Sequence, residues 1–440
     1  MTQGKTNFSL SRKITNLGTE NAFKLGEDIG ICQARGLDVI KFNIGEPDFD
    51  SVEQINQVAI DEIKASNSHY CDPAGIESLR KTIASYITET RGVTVDPSRI
   101  VILPGAKPAI SYTMMTYLDP GDEVIYPSPG FPIYESWVEY LGLTPVPLMV
   151  GEEKGFSFGA EDLKNLITER TKLIILCSPS NPTGGVLSKR EISEIATTIR
   201  QKCRPDVRVF ADEIYESILF DGQVHQSIIE EEGMEEITVL SSGFSKSFAM
   251  TGWRLGWVLL PTPEEAAIFK QLNINLVSCV PPFIQEAGRE ALENPKTQLF
   301  IKAMVKEFER RRNWIVPALN GIEGVKCQMP KGAFYVFPNI ENVCKSLGIM
   351  HTYASMTPEM KSRTSPSGMF QMFLLYRYGI ATLDRNSFGS IGTEGQHFIR
   401  LSIATKMRDC QRGLRRIQSA ATDQEGFSRF LEEEKLWQVE

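Results

Sequence analysis

The chain has 440 residues, 42% of them hydrophobic, and a formal net charge of -8 from 47 Lys and Arg against 55 Asp and Glu. That length and apolar content support a full core, in two domains or one large one. The acidic balance argues against nucleic acid or an anionic membrane as partner, and no apolar run approaches the roughly 20 residues that span a bilayer.

The opening residues, Met1 to Lys5, lack the apolar stretch of a secretory signal, so a cytoplasmic protein is expected. The first strand candidate is Ile100 to Leu103, followed by Gly105-Ala106-Lys107 at the start of a helix predicted over 107–118. Small residues there let backbone N–H groups approach a phosphate at the positive end of a helix, although such turns also carry glycine for steric reasons alone. Further strands are predicted at 123–126 and 173–176, the latter running into Asn181-Pro182-Thr183-Gly184. Asn-Pro is a common turn signal, and here its amide is placed to face a cleft. A helix is predicted over 189–201 and a strand over 207–210, leading to Asp212 and Tyr215. A carboxylate at that point either caps the next helix or faces a pyridine ring, whose nitrogen it would keep protonated.

After a strand at 237–240 comes Ser245-Lys246-Ser247, with Arg254 eight positions beyond Lys246 and another strand at 255–260. A lysine among small and apolar residues has a lowered pKa and a free amine able to attack an aldehyde. Arginine offers a fork of donors for phosphate. An aldehyde bearing a phosphate describes pyridoxal 5′-phosphate (PLP). The alternation of strands and helices predicts an α/β sandwich with a mainly parallel sheet, whose ligands bind at the carboxyl ends of the strands.

The stretch 263–319 is charged, periodic and mostly helical, as a connector between domains would be. The rhythm changes after Gly332-Ala333-Phe334-Tyr335-Val336-Phe337, and 398–402 is the last strand candidate. Residues 343–385, rich in Met and Ser with Pro358 and Pro366, read as a disordered surface insertion or a flexible lid. The acidic tail 420–440 reads as a solvated helix. The eight cysteines are scattered, as reduced thiols would be, and the four histidines (His69, His225, His351, His397) are not spaced as metal ligands, so no metal is expected.

Taken together, these features resemble the class I aminotransferases of fold type I, which are PLP enzymes, from about Ser11 to Ile417. The likeness is carried by Asn43 to Phe49 (NIGEPDF), His69 to Gly75 (HYCDPAG), Leu118 to Val124 (LDPGDEV), Ser180 to Gly184 (SNPTG), Asp212 to Tyr215 (DEIY), the Lys246 segment, Gly332 to Tyr335 (GAFY) and Ile399 to Ser402 (IRLS). The bacterial aspartate/prephenate type is the nearest in flavour. The resemblance implies a seven-stranded, mainly parallel sheet between helices in a large domain (49–295). It also implies a smaller α+β domain (296–440) and an N-terminal arm (1–48).

It implies roles as well. Lys246 matches the Schiff-base lysine that later shuttles the Cα proton, and Asp212 matches the partner of the ring nitrogen. Asn181 and Tyr215 match donors to the ring oxygen. Phe131 matches a ring stacked on the cofactor. Gly105, Ala106 and Arg254 match phosphate contacts, with Lys107 beside them. Tyr70 matches a tyrosine that reaches the partner subunit's cofactor, which implies a homodimer. Arg400 matches the clamp on the substrate α-carboxylate, near the Gly45 backbone and Asn181. Gly243 stands where relatives carry a serine, which leaves Ser245 to supply a hydroxyl, and Leu383 to Gly389 replaces a small-residue loop.

Lys107 is also the position where some relatives contact a distal carboxylate, which favours Asp or Glu as substrate. The other reading is a solvent-facing lysine in a first helical turn, slightly unfavourable there. Arg385 is a second candidate reader of an acidic side chain. The activity expected is ping-pong transamination between an L-amino acid and a 2-oxo acid. The same scaffold also supports lyases, decarboxylases and synthases. A PLP-sensing regulator would need a DNA-binding module that the residues before Asn43 are too few to supply, and a dead homologue would be expected to have lost Lys246 or Asp212.

Overall fold

The computed structural model describes residues 9–11 and 13–437; the Met1 to Lys5 segment, on which the secretion argument rests, lies outside them. Seven strands form the main sheet: β1 (Ile100–Leu103), β2 (Glu123–Ser128), β3 (Thr144–Met149), β4 (Thr171–Cys177), β5 (Arg208–Asp212), β6 (Thr238–Gly243) and β7 (Gly256–Leu259). Their order is β1-β7-β6-β5-β4-β2-β3. The pairs β2/β3, β2/β4, β4/β5 and β5/β6 are parallel, while β7 runs antiparallel to both its neighbours. The strands are apolar on both sides because both faces are covered. Ile100 and Ile102 enter one hydrophobic cluster and Val101 and Leu103 the other, as period-two alternation requires.

Strand β3 escapes the sequence reading because Pro145 and Pro147 interrupt it. It is an edge strand, paired on one side only, where a missing N–H costs no ladder bond.

The connector is three helices, Pro263–Leu276, Pro282–Glu293 and the 26-residue Pro295–Asn320. The last bridges two cores: Ile301 packs with the main sheet, whereas Met304, Phe308 and Ile315 pack with the C-terminal unit. In that unit Ile399–Ser402 pairs antiparallel with Tyr335–Val336 and with Leu383–Asp384. Ile40–Lys41 pairs parallel with Ile380–Ala381, and the Ser402 N–H donates to the Phe42 carbonyl at 2.8 Å. Asn43, Ile44 and Gly45 are thereby laid beside Arg400.

Two expectations are corrected. Residues 343–385 are neither disordered nor a lid: four helices cover 341–378, and in Pro366–Tyr378 the side chains of Met369, Phe370, Phe373, Leu374 and Leu375 are fully buried. A helix apolar on all sides is buried on all sides. The tail is not a solvated helix either. Helix Gln424–Glu434 buries Phe427 and Phe430, with Phe427 edge-on to Phe373 at 5.4 Å and Trp437 against Phe430 at 5.9 Å. Phe430→Leu should therefore lower unfolding free energy by about 1 kcal/mol, read as a lower urea midpoint. A solvated helix would give no change.

Candidate active site

Loops leaving the carboxyl ends of β1, β2, β4, β5 and β6 converge over one edge of the sheet, around a cavity of about 490 Å3. Of the residues singled out in the sequence, Gly45, Ala106, Lys107, Phe131, Asn181, Asp212, Tyr215, Ser245, Lys246, Arg254 and Arg400 line it. Gly105 adjoins them. Its φ is +89°, and a Cβ there would overlap the Arg254 guanidinium, so only glycine lets the arginine lie on this turn. No side chain among the described residues caps the first turn of helix Lys107–Tyr117, and Arg254, Ser245 and Ala106 line the same cavity. An uncapped helix start with a guanidinium alongside is an anion receptor.

Gly243 has a steric origin: a Cβ would come within 2.8 Å of the Gly256 Cα on the neighbouring strand. A serine does not fit there, and Ser245 carries the hydroxyl at the cavity instead.

Lys246 Nζ donates to the Gly45 carbonyl at 2.5 Å. Burial brings the amine down to about 8, with Glu20 pulling it upward and Arg400 and Arg254 pushing it further down. Asp212, at the end of β5, accepts from Tyr134 Oη at 2.6 Å, and burial raises its carboxyl above the usual range. Tyr134 escaped the sequence reading because it lies 78 residues away on helix Ile133–Leu141. Tyr215 Oη lies 2.7 Å from Tyr335 Oη, and burial raises both phenols. Cys177 also lines the cavity, but burial pushes its thiol to about 12, so it is no nucleophile at neutral pH.

Arg400 is 3% exposed. It donates Nη1–H to Asn181 Oδ1 at 2.9 Å and Nη2–H to the Asn43 carbonyl, and its guanidinium lies over Tyr335 (4.5 Å) and Phe388 (5.0 Å). Its Nε–H has no partner among the described residues. A buried, unpaired arginine donor beside a cavity is an unmet demand for an acceptor.

Other residues fall elsewhere. Tyr70 is 86% exposed and outside the cavity. Arg385, the second candidate reader of an acidic side chain, is corrected: it is fully buried away from the cavity. It bonds to Gln396 Oε1 (2.6 Å), Ser128 Oγ (2.9 Å) and the Gly389 carbonyl (3.0 Å), tying the 385–389 loop to β2. Glu20, Glu46, Thr251 and Tyr335 line the cavity without having been singled out in it. Glu20 pairs with Lys107, a contact no local pattern announces. His225 lies 2.9 Å from Glu213, near Glu216, the one grouping of metal-ligating side chains among the described residues. Arg91 already fills it, 2.7 Å from Glu213 and paired with Glu216. Burial raises the Glu213 carboxyl, but Arg91 and His225 outweigh that and hold it near 2.

A family model described as aminotransferase class I and II matches residues 37–417. A probable aspartate/prephenate aminotransferase of Aquifex aeolicus is 36% identical over 412 residues, 93% of this chain and 98% of that one. An aromatic-amino-acid aminotransferase of Thermococcus litoralis is 33% identical, covering 88% and 92%. The crystal structure of the aspartate aminotransferase from Rhizobium meliloti superposes with a TM-score of 0.83 at 31% identity, covering 94% and 99%.

Proposed function

Since the chain belongs to the class I and II aminotransferases, we propose that it moves an amino group from an L-amino acid to a 2-oxo acid by a ping-pong mechanism, with PLP attached to Lys246. The observation that carries this reading is the convergence of a depressed lysine amine, an anion receptor and a buried arginine with an unpaired donor on one cavity.

The cavity fits the cofactor. Ala106, Gly105, Ser245 and Arg254 would hold its phosphate at the uncapped helix start. Phe131 would flank the ring, and Asp212 would lie against the ring nitrogen. Tyr215 and Asn181 would face the ring oxygen, since Asn181 accepts from Arg400 through Oδ1 and keeps its amide N–H groups to donate. PLP supplies an aldehyde that captures amines and an aromatic ring that takes up the electron pair left at Cα.

The protein's own residues do the rest. Arg400 binds the substrate α-carboxylate, fixing the Cα–H bond toward Lys246. The Lys246 amine, brought down to about 8 by burial, would take that proton from Cα and return it to the carbon on the far side of the amino nitrogen, the one that carried the aldehyde. Asp212, whose carboxylate Tyr134 orients, would keep a proton on the ring nitrogen and be held ionised by it in turn. Residues 49–295 thus carry the cofactor, while 296–440 with the N-terminal arm carry Arg400. Tyr70, exposed on one subunit, would reach the phosphate of its partner in a homodimer. Lys107, paired with Glu20, is the cavity cation that the side chain of an acidic substrate would meet.

A stoichiometric half-reaction tests this. The loaded protein mixed with an amino donor alone should yield one equivalent of 2-oxo acid per site and stop until an acceptor is added. Continued turnover without acceptor would assign a lyase instead. The pH dependence follows from burial. Only the free amine attacks an aldehyde, so PLP uptake by the apoprotein should rise with pH and level off above about 8, where an ordinary lysine would still be gaining at about 10.4. Rates still climbing through pH 10 would contradict it.

A further inference from the structure

Among the described residues four basic side chains line the cavity: Lys107, Lys246, Arg254 and Arg400. Three of them serve the cofactor, the proton transfer and the α-carboxylate, and the fourth, Lys107, is paired with a carboxylate of the protein itself, Glu20. Glu20 precedes the short helix Asn21–Lys24, whose Ala22 and Phe23 also line the cavity. This turn is pinned at two points, by Asn43 Nδ2 donating to the Ala22 carbonyl at 3.0 Å and by Asn21 Nδ2 donating to Ser387 Oγ at 3.1 Å. Both anchors belong to segments that flank Arg400. The Glu20 side chain is 18% exposed and that of Lys107 44%, so the pair sits at the rim with its acidic member turned inward. Lys107 Nζ lies 5.7 Å from the centre of the Phe131 ring.

A negative side chain entering this corner would face a lysine already neutralised and a carboxylate of its own sign. A neutral side chain would meet a closed ion pair beside the apolar walls of Ala22, Ile44 and Ile110. We propose that Glu20 is a specificity-determining residue, an internal competitor that occupies the place on Lys107 which the distal carboxylate of an acidic substrate would take. Neutral substrates bind with the pair closed, whereas a dicarboxylate must displace Glu20. This rests on the transaminase reading, since it is Arg400 holding the α-carboxylate that directs the side chain to Lys107.

Two non-reacting acids of equal chain length separate the terms: succinate, a dicarboxylate, and butyrate, a monocarboxylate, titrated calorimetrically into the PLP-loaded protein. Glu20→Gln should tighten succinate by at least about fivefold while butyrate changes less than about twofold, because a rim pair is worth of order 1 kcal/mol. Succinate should bind Glu20→Gln/Lys107→Ala no more tightly than Lys107→Ala alone. An unchanged or weaker succinate affinity in Glu20→Gln, or a gain that persists without Lys107, overturns the inference. If the affinities behave as stated but wild-type protein exchanges no amino group between any amino acid, neutral or acidic, and a 2-oxo acid, the transaminase reading fails while the Glu20–Lys107 competition for a distal carboxylate is still observed.

Discussion

Lys246→Ala is expected to lower kcat by at least about a thousandfold, the loss that follows when a positioned proton carrier is removed, and to release PLP on gel filtration. No neighbour can take over. Among the described residues the only other amine lining the cavity belongs to Lys107, which stands at the rim paired with the Glu20 carboxylate. The Cys177 thiol, held near 12, stays protonated. The loss should be of chemistry and not of fold, because Lys246 lines the cavity instead of filling a core, the one side-chain hydrogen bond it makes among the described residues being to the Gly45 carbonyl. Unaltered circular dichroism and urea midpoint would show this. Turnover within about tenfold of wild type would remove Lys246 from the mechanism.

Arg400→Lys is expected to raise KM by about a hundredfold for every amino acid, acidic or neutral, since each hydrogen bond to a charged group contributes about 1.5–3 kcal/mol. The guanidinium divides its donors among Asn181, the Asn43 carbonyl and an open Nε–H, and its flat faces rest on Tyr335 and Phe388. An ammonium has neither the fork nor the face. Because the defect lies in the α-carboxylate contact, the ratio of KM for aspartate to KM for a neutral amino acid should stay constant. That distinguishes it from Glu20→Gln, which should change the ratio. A KM within about threefold of wild type would place the substrate carboxylate elsewhere.

What the sequence disclosed and what it hid divide by the range of the interactions. Strands β1, β2, β4, β5, β6 and β7 were legible because strands buried on both faces are short apolar runs bounded by turn residues, and the carboxyl ends of β1, β4, β5 and β6 carried Gly105, Asn181, Asp212 and Lys246 in order. Strand β3 was hidden by its prolines, a signal that excludes central strands and says nothing against an edge. Helix Pro366–Tyr378 was hidden because burial on every side erases the amphipathic period, leaving Met and Ser to look like a loop. In the tail, Phe427 and Phe430 at helical spacing ahead of Trp437 were a readable apolar stripe within an acidic composition.

The hidden parts of the site are its long-range contacts. Tyr134 reaches Asp212 across 78 residues, and Glu20 reaches Lys107 across 87. Nothing local marks a tyrosine or a glutamate for such a contact. Arg385 misled in the opposite sense, since an arginine in an irregular loop looks available until the loop is found folded around it.

The central claim is that the amine of Lys246 carries the cofactor. Borohydride reduction of the PLP-loaded protein, followed by peptide mass spectrometry, tests it without any assay of turnover. The phosphopyridoxyl mass should be found on the peptide containing Lys246 at about one per chain. Its appearance on Lys107 or another lysine, or on none, would contradict the account.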